Sequence, residues 1–148
     1  MGKIFTFQLQ SVLHLREYEV SQAKIALGEV IIARESMEKR IDEKVNYLQS
    51  MKQDHEKTII TDLQMNAHHR TAVREEVEIL KNEIKKLQEL ENIRRNELNK
   101  KLQEKKVIEK LRERKKMEYE KKMNAEEQQF LDEIANGMNI RQSIERKR

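Results

Sequence analysis

From Leu9 to the middle of the chain, a seam of side chains recurs at alternating steps of four and three. Its positions are Leu9, Leu13, Arg16, Val20, Ala23, Leu27, Val30, Arg34, Met37, Ile41, Lys44, Leu48, Met51 and His55, and ten of the fourteen are apolar. A 3.5-residue repeat sustained over this length predicts a left-handed coiled-coil seam rather than the wider stripe of a globular-core helix. Little in the chain can interrupt such a helix. The 148 residues contain no proline, and the three glycines stand alone at 2, 28 and 137. An α/β or all-β fold needs turn residues at short intervals, and this chain lacks them. Arg16, Arg34, Lys44 and His55 interrupt the seam. Their stems can lie along it while their polar heads reach water, and such positions can fix register.

The second half repeats the pattern with Val73, Val77, Leu80, Ile84 and Leu87. It degrades at Glu91 and Arg94, and Leu98, Leu102, Ile108 and Leu111 resume it in a shifted phase. Spacings then stretch to four through Lys115, Tyr119 and Met123, before Phe130 and Ile134, which unwinds a supercoil locally. Gly137 after Asn136 reads as a helix stop. Between the halves, residues 58–71 carry two histidines, a single acid and several Thr, Asn and Gln, and Thr61 with Gln64 makes a weak capping-box match. The expected fold is all-α: a long two-helix antiparallel coiled-coil hairpin in a single domain spanning 1–148. Helix one covers about 6–58, a turn region 59–70 and helix two about 71–136, with a frayed basic tail over 138–148. A reversal near residue 65 sets position 5 beside about 125. The N-terminal Phe5 and Phe7 then meet Tyr119 and Phe130, in a small satellite core or an aromatic-rich tip for a partner.

Charge is unevenly placed. Residues 1–72 balance ten basic against ten acidic side chains, whereas 99–122 hold eleven Lys and Arg against five Glu. Pairs such as Glu97–Lys101 and Glu118–Lys122 fit a solvated helix face. A sharper reading is contact with an acidic protein, a membrane surface or nucleic acid. One aromatic residue in that stretch, Tyr119, leaves nucleic-acid stacking little to work with. Ile79, Leu90 and Ile93 lie off the seam on one helical face, a candidate docking surface.

No phosphate-binding glycine loop or HExxH pattern occurs, and cysteine is absent, so no cofactor or metal is expected. His68 and His69 diverge by about 100° on a helix and read as polar turn residues. Carboxylates along a solvated rod lack a desolvated cleft to raise their pKa, which argues against an enzyme. No apolar run reaches the roughly 18 residues of a membrane span and residues 1–10 lack a secretory pattern, so a cytoplasmic protein is expected.

Two segments carry a family resemblance: Phe5-Thr-Phe-Gln-Leu-Gln-Ser-Val-Leu-His-Leu-Arg-Glu, and Glu126-Glu-Gln-Gln-Phe-Leu-Asp-Glu-Ile-Ala, the latter following the Lys-rich stretch from Glu109. With the chain's length and charge pattern, they make the sequence similar to the FliJ family of flagellar export proteins. The resemblance implies a hairpin like the central stalk of rotary ATPases. Its partners would be the hexameric export ATPase FliI, the export gate protein FlhA and export chaperones, with no nucleic acid. The membrane would be reached only through the export apparatus. By analogy Phe5, Phe7, Leu9, Phe130, Leu131, Asp132 and Glu133 would enter the ATPase ring, and Ile79 with Leu90 would face the gate. An injectisome stalk, a parallel homodimeric scaffold and a basic nucleic-acid-binding helix are the alternative readings.

Overall fold

The structure is a computed structural model that describes residues 4–53 and 60–147. It contains two helices, α1 (Gln10–Gln53) and α2 (Ile60–Arg146), of 44 and 87 residues. They pack against each other, and no strand occurs among the described residues. The all-α helical hairpin expected from the repeat is the fold observed. Two compact units divide it: Met1–Glu17 with Gln103–Arg148, and Tyr18–Leu102.

In the Tyr18–Leu102 unit, Glu19 pairs with Lys101 and Lys44 with Glu76. Twenty-five residues forward along α1 therefore match twenty-five residues back along α2, which is an antiparallel register. Val20 and Val30 of α1 and Val73 and Val77 of α2 are buried, and the remaining described seam positions from Arg16 to Met51 are half-buried. The repeat thus located the contact face of α1 correctly, except at its ends. Leu9 is 39% exposed because α1 starts one residue later, after a turn in which the Gln10 amide donates to the Phe7 carbonyl at 3.1 Å. His55 lies outside the described residues.

The phase shift expected in helix two comes later than expected, near Leu111, which is half-buried where Arg112 is exposed. Glu91 and Arg94 stay on the seam, Leu98 follows, and Lys101 takes the next position while Leu102 is exposed. Polarity concealed the continuity of the repeat as far as Lys101, because α1 supplies an opposite charge at Glu91 and Lys101, whereas Arg94 pairs with Glu97 of its own helix. Arg34 Nε donates to Glu91 at 2.7 Å, and Lys101 Nζ lies 3.2 Å from Glu19. The heads of Arg16, Arg34 and Lys44 accordingly lie on Glu104, Glu91 and Glu76 of α2 rather than in water.

Boundaries differ from expectation at both ends of α2. Residues 60–70, expected as a turn, are helical, so Thr61 lies inside α2 rather than at its cap, and residues 58 and 59 of the expected turn lie outside the described residues. The polar residues there carry enough helix propensity once α1 packs beside them. Tyr47, for example, meets His69, ring edge to face at 5.6 Å, with its hydroxyl 3.1 Å from Nε2. Helix α2 also runs through Gly137 to Arg146. A glycine stops a helix when it adopts a left-handed backbone, and Gly137 does not. The expected frayed tail is helical as far as Arg146 and exposed throughout.

Candidate functional site

The unit formed by the N-terminal segment and the far part of α2 brings together some of the expected site residues and separates others. The Phe5 ring packs on Tyr119 at 5.6 Å, tilted by 48°, and Phe7 is buried. Phe5, Thr6, Phe7, Gln8 and Leu9 join Leu111 and Lys115 around a cavity of about 280 Å3. Leu13 beneath them is 3% exposed. An aromatic satellite core therefore forms, from the two N-terminal phenylalanines and Tyr119.

Phe130 is not part of it. Phe5 sits beside Tyr119 instead of beside position 125. From Asn124 to Lys147 every residue of α2 is exposed. Phe130, Leu131 and Ile134 are 61%, 52% and 41% exposed, and Met138 and Ile144 lie further along. Spacings of four and eight put Phe130, Ile134 and Met138 on one helical face, with Leu131 at its edge. Asp132 accepts a hydrogen bond from Gln128 at 3.2 Å, and Glu133 is exposed. The Phe5–Leu9 group and the Phe130–Glu133 group are thus two separate features: a partly buried aromatic cluster and an exposed, amphipathic helix end.

In the Tyr18–Leu102 unit, Ile79 and Ile93 are 58% and 53% exposed, and Leu90 is half-buried. A face suited to docking therefore centres on the two isoleucines, with Leu90 partly committed to the seam.

Residue patterning missed the polar layer of this unit. Glu91 is 7% exposed and receives Arg34 from α1 and Arg95 from its own helix, each at 2.7 Å, while Arg34 also donates to Glu38. Arg95, then Arg34, hold the Glu91 carboxyl below the ordinary glutamate range, against the opposing effect of burial. Glu38 and Glu91 raise Arg34 further above its already high value. Lys44 lowers Glu76 in the same way. The available signal was the coincidence of basic interruptions in one half with acidic interruptions in the other, readable only once the register is known. Of the residues in the two expected intrahelical pairs, Glu97 meets Arg94, Lys101 meets Glu19 and Glu118 meets Lys115. His69 serves Tyr47 rather than a turn. No group of three metal-ligating side chains occurs among the described residues.

No curated protein and no solved structure matches the chain significantly. The family described as flagellar FliJ protein matches residues 5–143, nearly the whole chain and both segments that carry the resemblance. With its two-helix fold and that match, the chain belongs to the FliJ family of the flagellar export system.

Proposed function

We propose that this protein is a non-enzymatic stalk and coupling component of flagellar protein export. It would bind the hexameric ATPase FliI and the gate protein FlhA, and assist delivery of flagellar subunits and their chaperones. The reading rests on a single observation: the family match runs along an antiparallel helical hairpin whose long arm carries an apolar face covered by no described residue. Phe130, Leu131 and Ile134 on that face, followed by Asp132 and Glu133, supply the anchor-and-rim chemistry of a protein contact. We assign the ATPase ring to this end, with the Phe5–Leu9 core bracing its base. We assign the gate to Ile79 and its neighbours, with Leu90 contributing from the edge. A cytoplasmic position at the export apparatus follows from this role, and no helix among the described residues is long and apolar enough to cross a membrane.

The test is ATP hydrolysis and particle size of purified FliI with and without this protein. Stimulation together with ring assembly is expected, and the double change Phe130→Ala, Ile134→Ala abolishes both while far-UV circular dichroism is unchanged. An ATPase indifferent to the added protein would remove the stalk reading.

A further inference from the structure

The basic stretch of α2 has a feature that the stalk role leaves unused. Stepping along the sequence at the helical period from Asn92 to Gln128 meets eleven positions, spaced on average 3.6 residues apart, and none is acidic. Within the unit containing Gln103–Arg148, this line passes through Lys106, Lys110, Arg114, Met117 and Lys121, with Val107 beside it. All six are exposed, Val107 and Met117 by 65% and 60%. The four cations make no ion pair with any described residue. Nearby acids are partly taken up by cations off the line: Glu109 by Lys105 and Glu118 by Lys115. A row of uncompensated positive charge therefore extends about 22 Å at ~1.5 Å per residue.

We propose that this row is a contact for an anionic lipid surface. Its geometry selects that partner among the three that a basic helix face can serve. A second helix packed along α2 would require an apolar seam repeating every 3.5 residues, whereas this line holds the straight helix period and is mostly charged. Phosphates of a duplex wind away from a straight row, and no aromatic side chain on the row could stack on bases. A bilayer presents acidic headgroups along any line laid on it, and four to eight clustered cations on a helix suffice for attraction. Val107 and Met117 are too few to insert deeply, so binding is electrostatic and shallow.

The experiment is sedimentation of the full chain with vesicles of phosphatidylcholine containing about 30% phosphatidylglycerol, and with phosphatidylcholine alone. Binding to the anionic vesicles only, weakening as salt rises, is expected. The variant Lys106→Gln, Lys110→Gln, Arg114→Gln, Lys121→Gln should weaken it by about a hundredfold or more, since each cation near such a surface contributes about fivefold. A control carrying Lys24→Gln, Lys39→Gln, Lys85→Gln and Lys86→Gln has the same net charge and should retain most of the binding. Equal loss in both variants would mean that bulk charge alone acts, and would overturn the assignment. Equal binding to neutral vesicles, no binding to anionic ones, or tighter binding to a 30-base-pair duplex at the same salt would overturn it too.

Discussion

Glu91 is the charged side chain that the described core buries, and its two arginine partners make its ionised form the stable one. A carboxyl depressed in the folded state adds stability above its unfolded value, about 4.3, and loses that contribution as pH falls through the lower folded value. Glu76 beside Lys44 acts in the same direction. The urea midpoint should therefore fall as pH is taken from about 5 towards 3, and Glu91→Gln should flatten that slope. Arg34 contributes no opposing change, because its raised value lies far above this range. Truncation to Glu91→Ala leaves Arg34 with Glu38 as its remaining partner among the described residues and opens a gap in the seam, and it should lower the thermal midpoint more than Glu83→Ala on the exposed face. Adding Arg34→Leu to Glu91→Leu should recover most of the loss, since an apolar pair can replace a buried ion pair. Equal effects of Glu91→Ala and Glu83→Ala would show that the layer contributes no stability.

Each helix has a packed portion, and α2 also has a bare one, so substitutions should divide accordingly. Leu13 is 3% exposed, and Leu13→Ala should cost about 2–4 kcal/mol in chemical denaturation. Ile134→Ala, on the bare end, should fall within about 0.5 kcal/mol in the same measurement while still affecting partner binding. Gly137 sits inside α2 with open space around an added Cβ, so Gly137→Ala should favour local helix by roughly 0.5–1 kcal/mol. Hydrogen exchange of the amides around 134–141 would report it as slower exchange, and faster exchange would contradict the helical assignment there.

Across the molecule, the antiparallel register places Ser36 and Asn82 on paired stretches of the Tyr18–Leu102 unit. Spin labels at these two sites, diluted with unlabelled protein, should give a separation of about 10–20 Å, set by an interaxial spacing near 8–10 Å plus the label arms. A continuous rod paired with a copy of itself would instead separate them by about 70 Å within one chain, at ~1.5 Å per residue. The distance should also be independent of protein concentration.

The apolar repeat, the absence of proline and the isolation of the glycines were enough to indicate two long helices and the inner face of α1, while the family was legible only as a resemblance in the two terminal segments 5–17 and 126–135. These properties are local, because a helix needs only its own spacing to define a face. Register, by contrast, depends on which residue of α2 stands opposite each residue of α1, and a regular repeat allows several answers. The pairing of Arg34 with Glu91 and of Lys44 with Glu76 accompanies one of them. In the other unit, likewise, only the tertiary structure shows that Phe5 meets Tyr119 and that Phe130 and the helix beyond it stay open. Glu91 broke the seam when α2 was read alone, because a buried charge becomes compatible with a contact face only when the other helix brings it an opposite one.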